Sequence, residues 1–489
     1  MKDSIVKIEG MDYISIVDIM ISKCVNEHGE ATIKLLVEPE KVDKAMSLSA
    51  DINWMSIKIG EKEGGVADTI IFTGFIDEIS VDTMKGLPIL TIKLVGASQL
   101  LDIVKATRTY QEDYSKLSKI TKEIENSCNK FFPGNNIKFV KGEKCNLEYM
   151  PNPKFLVQYR ETDYEFLKRC ASMQNLPLIT VNELNDKEVK INIGFLEGKN
   201  GGQSETIHYA KGRQMLKFLK DSKDGNINSV VSDDYNIIKI KVRDYYTLGS
   251  SVTVDGEKLY IYSSESRYSS GIIYSDEERG NADEFWHIYQ LVPEKRFSVP
   301  RIFNQNLAGI SLSAIVESVE KAKIKVKCDV DEKSEQKVEF MYASVYSSDD
   351  GSGWYSMPEV GDFVRIYLPT EDEKDAYAIS SVHNVEGTGL RDNPEHKILM
   401  NKYKKEIEFT KESIRLSNND GMEILLDDNK GISIISSKDI RIDALKSIDI
   451  ISKSQSVRVS GNDEIKLQSS PSYIKLKNNA EIKGTGVKF

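Results

Sequence analysis

The residues of this sequence that could carry chemistry are its histidines, cysteines, serines and neighbouring carboxylates, and their spacing predicts no reactive centre. A hydrolytic zinc site typically shows HExxH and a serine hydrolase typically shows GxSxG, and the sequence contains neither pattern. The histidines stand apart, without an HxH pair or a cysteine at ligand spacing: His28, His208, His287, His383 and His396. We therefore expect no catalytic residue, no bound metal and no cofactor.

The paired carboxylates and the cysteines also give no indication of a catalytic or metal site. Asp349/Asp350 and Asp427/Asp428 lie in turn-like contexts, where solvation is their usual role. The cysteines are odd in number and widely spread, with no CxxC pair, so we expect reduced thiols. They are Cys24, Cys128, Cys145, Cys170 and Cys328.

Chain length and net charge limit the number of domains and the classes of function that the sequence allows. A chain of 489 residues predicts two to four domains. Its net charge of -10 comes from 76 acidic and 66 basic residues mixed along the chain, which argues against nucleic-acid binding. No apolar run approaches the roughly 20 residues of a membrane span. We expect synthesis in the cytoplasm without a signal peptide.

The strongest structural signal of the sequence is instead a repeat in its C-terminal part. An apolar-x-apolar pair, such as Ile440/Ile442, recurs with offsets of 8 or 9 residues, and the alternation is that of a half-buried strand. The series is Ile424/Leu426, Ile432/Ile434, Ile440/Ile442, Ile448/Ile450, Val457/Val459, Ile465/Leu467, Ile474/Leu476 and Ile482.

Units this short have two or three inward side chains each, so one chain alone leaves its apolar face in water. Three chains, each supplying one side of every layer, solve the problem. The repeat therefore predicts an intertwined triple-stranded β-helix, a trimeric β-prism whose axial core holds these residues. A sandwich of hairpins is the open alternative, although sandwiches rarely keep an eight-residue spacing for so long.

Residues 309–382 predict a compact β-domain. Five strand-like segments are separated by Gly-rich and Asp-rich breaks, which suggests a small closed barrel. The most distinctive stretch is WYSMPEVGD, with Trp354, Pro358, Gly361 and Asp362. This stretch and the strands after it resemble the OB-fold barrel of VgrG and phage baseplate spike proteins, in which an octad needle follows the barrel.

A second similarity lies in the N-terminal part, whose short strands and helices predict an α+β region in a mainly β protein. Thr162 and Glu165 form a capping box that opens a helix with Phe166, Leu167 and Cys170 on one face. The segment also resembles a hub stretch of VgrG and phage late control protein D. Its motif residues are Tyr159, Arg160, Thr162, Asp163, Phe166 and Leu167, with Arg169 at the last position.

The resemblance implies a hub of tandem barrels over residues 1–305, an OB-fold collar over 306–385, a linker over 386–405 and a needle over 406–489. It implies a structural homotrimer that joins the tube of a contractile injection machine to a membrane-piercing needle. The implied partners are a hexameric tail-tube protein, baseplate components, and effectors or cargo. The chain would be assembled into the particle or virion tail, meet the target envelope membrane only during penetration, and be ejected or secreted on contraction.

We also expect Val487 and Phe489 to dock a PAAR-like tip protein, because three copies of Phe489 would leave an apolar triangle exposed. Pull-down of such a partner with a Phe489→Ser spike checks this, and undiminished binding would contradict it.

Two other classes of function remain open. A trimeric tail-fibre adhesin would bind cell-surface carbohydrate and make no tube contact. A lysozyme-like or glycosidase tailspike would degrade cell wall, but the stretch between barrel and needle is too short for a catalytic insert.

Overall fold

The structure is a computed structural model, and the chain divides into two compact units, residues 1–384 and 385–489. It describes residues 4–61, 68–84, 86–148, 154–184, 188–195, 208–223, 231–270, 284–330, 337–383, 392–483 and 486. Among the described residues, no helix is long and apolar enough to cross a bilayer.

The first unit opens with antiparallel strands whose apolar side chains alternate inward. In the third strand Ala31, Ile33 and Leu35 are buried while the residues between them are not, which is the two-residue period of a half-buried strand. The elements are β1 (Ser4–Glu9), β2 (Ser15–Cys24), β3 (Glu30–Leu36), α1 (Val42–Ser47), β4 (Trp54–Glu61), β5 (Thr69–Met84) and β6 (Leu87–Gly96).

A smaller α/β layer follows. Its longest helix is amphipathic and buries Leu117, Ile120, Ile124 and Cys128, at the three- and four-residue spacing of one helix face. The elements are β7 (Lys105–Gln111), α2 (Leu117–Phe131), β8 (Asn136–Lys141), β9 (Phe155–Thr162), α3 (Asp163–Ser172), β10 (Leu178–Val181) and β11 (Glu188–Ile193). Strands β7 and β9 pair with each other, and β10, β11 and β8 form a separate sheet.

The chain then returns to the first sheet and extends it. The returning elements are β12 (His208–Arg213), α4 (Met215–Lys223), β13 (Asn236–Val242), β14 (Ser251–Val254), β15 (Glu257–Ser269) and β16 (Glu284–Val292). The strand order is β1-β4-β5-β6-β3-β2-β15-β16-β13-β12, with β14 on β15. One continuous sheet therefore joins the strands of residues 4–96 to those of residues 208–292, through the antiparallel pair β2 and β15.

A five-stranded sheet completes the first unit. Its strands are β17 (Ser311–Glu320), β18 (Lys323–Cys328), β19 (Glu339–Met341), β20 (Phe363–Tyr367) and β21 (Tyr377–Val382), in the order β19-β18-β17-β20-β21. The two ends of this order approach each other, since Tyr342 forms an isolated parallel bridge with Ala378. Phe155 and Val157 of β9 enter its apolar core, so the α/β layer and this sheet share a packed interface.

The second unit holds two antiparallel meanders. The first is β22 (Lys397–Met400), β23 (Glu406–Phe409), β24 (Ser413–Ser417), β25 (Met422–Asp427) and β26 (Gly431–Ser436), and the second is β27 (Ile465–Ser469), β28 (Ser472–Lys477) and β29 (Asn479–Lys483). Residues 437–464 are described and contain no strand.

Several sequence predictions are confirmed at this level. The protein is mainly β, the capping box of Thr162 and Glu165 opens α3, and strands occur at all five places predicted in 309–382. The third of these is shorter than predicted, because the chain leaves the sheet after Met341 and Val345 and Tyr346 are exposed. Strand β22 lies within the stretch predicted as a linker.

Candidate functional site

The hub motif surrounds the start of α3. The Thr162 hydroxyl accepts from the Glu165 amide, and the Glu165 carboxylate accepts from the Thr162 amide. Asp163 is bound by Arg108 at 2.8 Å and by the amide of Gln158 at 2.9 Å. Phe166 and Leu167 are fully buried, and the Tyr159 carbonyl accepts from the Asn304 side chain. Arg160 has a positive φ of 49° at a bulge of β9.

Arg169, at the last position of the motif, is the centre of a buried ionic network. Arg169 is 1 % exposed and binds both carboxylate oxygens of Glu161, each at 2.9 Å. Its third nitrogen donates to Glu373 at 2.6 Å, and the same guanidinium donates to the Val157 carbonyl at 2.7 Å. Glu373 belongs to the five-stranded domain, so Arg169 ties that domain to α3 and β9.

Arg301 adds a second tie at the same junction, through two hydrogen bonds to Asp372 of 3.0 and 3.2 Å. The nearby carboxylates outweigh the desolvation of Arg169 and raise its pKa, so the guanidinium is charged at every pH at which the protein folds. Sequence reasoning noted Arg169 but missed Glu373, which lies 204 residues away.

A second buried polar cluster lies where the two halves of the long sheet meet. The Lys23 ammonium is 3 % exposed and donates to the Ile71 carbonyl at 2.6 Å, to Tyr245 and to Glu183. Tyr245 also donates to Glu183. Desolvation lowers the pKa of Lys23, and the same burial raises the pKa of Tyr245. These contacts join β2, the α/β layer and the returning half of the sheet.

His287 packs beside Tyr245 and carries a testable consequence for acid stability. Burial lowers the pKa of His287 to about 3, with the charge of Lys23 a smaller cause. Below the ordinary value near 6.5 the unfolded chain binds a proton that the folded chain does not, so folding loses stability as pH falls. Between pH 7 and pH 5 we expect wild type to lose about 2 kcal/mol of unfolding free energy more than His287→Phe.

Urea unfolding at the two pH values measures this difference. His383 is exposed, so His383→Phe serves as the control and should keep the wild-type pH dependence. If wild type and His287→Phe lose the same unfolding free energy between pH 7 and pH 5, His287 does not contribute to the pH dependence of stability.

The collar motif forms an exposed aromatic loop between β19 and β20. Trp354 and Tyr355 are 63 % and 75 % exposed, and the Trp354 amide donates to the Tyr346 carbonyl at 2.8 Å. Pro358 is buried. At the end of the loop, Gly361 has a positive φ of 95°, and the Asp362 carboxylate accepts from the Glu359 amide. Hydrogen bonds hold the loop at both ends, while the side chains of Trp354 and Tyr355 are exposed to solvent.

The residues predicted as the needle core are not buried within the single chain. Within the described part of the second unit no apolar side chain is buried, so one chain alone provides no core there. Ile465 is half-buried. The other predicted core residues are exposed to solvent: Ile424, Leu426, Ile432, Ile434, Ile440, Ile442, Ile448, Ile450, Val457, Val459, Leu467, Ile474, Leu476 and Ile482. A single chain leaves them in contact with water, and the trimer core stays a prediction.

The predicted strands of the repeat are only partly present. The pairs Ile440/Ile442, Ile448/Ile450 and Val457/Val459 lie in the stretch without strands, where the single chain provides no hydrogen-bonded neighbour, and the others lie in β25 to β29. In the second meander Leu467 pairs with Ile474, and Leu476 pairs with Ile465. These pairs form an apolar row on a sheet face that stays open to solvent. Val487 and Phe489 lie outside the described residues.

Strand register shows that this apolar surface begins before Ile424, the first residue of the repeat. Ile424 pairs with Ile434, and Leu426 pairs with Ile432, within the chain. The same rows continue outward through residues that sequence reasoning missed: Leu399, Ile407, Phe409, Ile414 and Leu416. The apolar-x-apolar pairs Ile407/Phe409 and Ile414/Leu416 were the available signal, but their spacing departs from eight residues, and Leu399 has no such alternation.

The ion pairs of this meander lie on its other face, together with Leu425 and Ile435. Arg415 binds Glu408 at 3.1 Å and also binds Glu406, while Glu423 lies 3.7 Å away. The sheet therefore pairs its charges on one face and leaves large apolar side chains on the other, which is the pattern of a sheet that is incomplete without a covering partner.

Among the described strands, the long sheet ends in two edge strands, each with a partner on one side only. All six residues of β12 are exposed, and the neighbouring α4 exposes Met215, Leu216 and Leu219. Strand β1 forms the opposite edge. Unpaired edges of this length favour pairing with another chain.

The structure brings together one Ser-His-Asp set that the sequence did not reveal. The ring nitrogens of His28 lie 2.8 Å from the Ser98 hydroxyl and 3.1 Å from Asp102, which also accepts from Thr162. Ser98 is only 3 % exposed, so a substrate carbonyl cannot reach its hydroxyl. The set anchors the start of α3.

Comparison with known proteins identifies the fold. No protein-family model matches the chain, and no curated protein matches it significantly. The lidless PdpA-VgrG complex matches with a TM-score of 0.57 and 10 % identity, over 89 % of this chain and 99 % of the matched chain. The half-lidded Francisella PdpA-VgrG complex gives 0.54 and 11 %, over 89 % and 88 %.

The E. coli c3393 protein matches with a TM-score of 0.51 and 13 % identity, over 77 % of this chain and 99 % of that one. It is described as a type VI secretion component similar in structure to the T4 phage tail proteins gp27 and gp5. The chain has a VgrG-like fold. The predicted resemblance is thus confirmed, and at these identities it is a likeness of fold.

Within the described part of this VgrG-like chain, no group of three His, Cys, Asp or Glu side chains is placed to hold a metal ion. Three candidate features remain on the described residues: the Arg169 network, the edge strands of the long sheet and the apolar face of the second unit.

Proposed function

We propose that the chain is the homotrimeric hub and spike of a contractile injection machine, of the type VI secretion or phage tail kind. The observation that carries the proposal is the exposed apolar face of the second unit, opposite a face of paired charges. Three chains bury that face against one another and provide strand partners for residues 437–464. The VgrG-like fold supports the assignment.

The domains of this proposal are a hub over 1–305, an OB-fold collar over 306–385, a linker over 386–405 and a triple-stranded β-helix over 406–489. The strand order of β17 to β21 and the bridge between Tyr342 and Ala378 support a small barrel of OB type. The open edges β1 and β12 support closure of the hub into a ring of tandem barrels by strand pairing between protomers.

The role is mechanical and not enzymatic. A contracting sheath supplies the energy, and the needle resists buckling because its chains are mutually hydrogen-bonded. The proposed partners are a hexameric tail-tube protein, baseplate components, a PAAR-like tip protein at Val487 and Phe489, and effectors. VgrG chains of similar fold form complexes with PdpA, which supports association of this chain with a further protein.

Sedimentation equilibrium of the full chain tests the proposal. We expect a particle of three times the chain mass of 55.2 kDa that resists dissociation in detergent. A monomer at micromolar concentration would refute it.

A trimeric adhesin that binds cell-surface carbohydrate is the second candidate. The exposed Trp354 and Tyr355 favour it, because flat aromatic faces suit sugar rings. Saturable binding of purified polysaccharide, lost in Trp354→Ala, would support the adhesin, and no binding would remove it.

A further inference from the structure

The long sheet has a seam where its two halves meet. The first half consists of β1 to β6 and the second of β12 to β16. Among the described strands, the pair β2 and β15 alone joins them, through seven residue pairs from Ser263 with Cys24 to Ser269 with Asp18. Opening this one ladder therefore separates the halves and leaves the other strand pairs of the sheet in place.

Each half of the sheet has an apolar core of its own. Ile33 and Ile92 belong to the buried cluster of the first half, and Ile240 belongs to a separate cluster in the second half. Two buried apolar side chains cross the seam: Phe285 packs with the first cluster, and Val25 packs with residues of the second half. Because the two cores are separate, the halves can open as cooperative units.

Buried polar side chains fill the seam between these cores. Lys23 of β2 pairs with Ser264 of β15, and the Nδ1 atom of His287 on β16 lies 2.6 Å from the Ser266 hydroxyl. All four residues are buried. The other ring nitrogen of His287, Nε2, has no hydrogen-bond partner among the described residues. The closed seam therefore provides no acceptor for the second N–H of a protonated ring, whichever nitrogen carries the first.

The titratable groups packed around His287 do not compensate for a positive ring. The Tyr245 and Tyr289 rings lie 5.3 and 5.9 Å from it, and the Lys23 ammonium adds a like charge. Glu183 is already bound by Lys23 and Tyr245. The residues of β13 and β15 that pair with His287 carry no charge. Burial lowers the pKa of His287 to about 3, so its ring stays neutral while the seam is closed.

We propose that this seam is an acid-operated latch between the two halves of the long sheet. When β2 and β15 separate in mild acid, His287 meets water and takes up a proton. The charged ring then cannot return to its buried position near Lys23 without losing that proton, so the open state gains population as pH falls. Each half keeps its own core, and the latch opens without unfolding of the first unit.

Hydrogen exchange of the full chain at pH 7 and pH 5, corrected for the intrinsic exchange rates, tests the latch. Because an exposed histidine has a pKa of about 6.5, we expect protection of the β2 and β15 amides to fall by about 25-fold between the two pH values. At pH 5 these amides should also exchange at least about 10-fold faster than those of β3 and β6, because opening the seam costs less than unfolding the first half.

Two histidine variants identify the group that titrates. His287→Phe keeps an aromatic ring of similar size but cannot take up a proton, so protection of its β2 and β15 amides should not fall in this way. His287→Leu gives the same comparison if the phenylalanine variant does not fold. His383 is exposed, so His383→Phe is the matched control and should show the wild-type response to acid.

Two results would overturn the latch. Equal protection of β2, β15, β3 and β6 at pH 5 would show that His287 takes up its proton only on unfolding of the whole sheet. An undiminished response to acid in the non-titrating variants would assign that response to another group. Neither result bears on the trimer, which the solution mass of the chain tests independently.

Discussion

Replacement of Arg169 with methionine is expected to lower the unfolding free energy of the first unit by about 3–5 kcal/mol. The guanidinium is 1 % exposed and holds Glu161 and Glu373, whose side chains are also buried. Removing the cation leaves two carboxylates without a counter-charge in a site that is almost closed to water. Methionine fills most of the volume, so the loss measures the orphaned charges more than a cavity.

Urea unfolding at neutral pH, followed by tryptophan fluorescence, measures this loss. The matched control is Arg213→Met, whose partner Asp233 is 74 % exposed and whose loss should cost less than about 1 kcal/mol. Because the Arg169 network is buried, its contribution should change little with added salt. A loss as small as that of the control would contradict the network's structural role.

A triple variant separates charge from packing. Arg169→Met together with Glu161→Leu and Glu373→Leu removes the cation and both carboxylates, so most of the lost stability should return. Hydrogen exchange gives a further readout of the single variant. Protection in β21 should fall in Arg169→Met if the network holds the five-stranded domain against α3, and it should recover in the triple variant.

The contrast between Thr162 and Glu373 shows what the sequence could reveal of this junction. The capping box was predictable because Thr162 and Glu165 are three residues apart and the helix places them together. Arg169 and Glu161 are eight apart, across the turn from β9 into α3. Glu373 comes from another domain, and no local pattern marks a carboxylate as the partner of a distant arginine.

In the repeat, local sequence predicted most of the strands but not their pairing partners. Its alternation identified β25 to β29 and the apolar face without any tertiary information. The pairing partners were not predictable, since Ile424 pairs with Ile434 inside the chain, whereas Ile440 and Ile448 lie where a single chain forms no strand. Strand formation there depends on hydrogen-bond partners, which local sequence does not specify.

Charges placed on the apolar face of the repeat are expected to abolish the trimer. The double variant Ile448→Asp/Val457→Asp puts two carboxylates per chain, and six per trimer, at positions that the proposed needle turns toward its axis. Each unpaired buried charge costs several kcal/mol, so the summed penalty exceeds what a thin core can offset. Sedimentation velocity should show the wild-type chain at three times 55.2 kDa and the variant at the monomer mass.

The neighbouring positions provide a control with the same composition. In the proposed needle, strand alternation turns Ser447 and Ser456 away from the face that would hold Ile448 and Val457, so Ser447→Asp/Ser456→Asp adds the same charge on the water side. This control should remain trimeric. If both double variants dissociate alike, net charge and not the apolar face governs assembly. If neither does, the face is not the trimer core, and the exposed isoleucines of the second unit must be covered in another way.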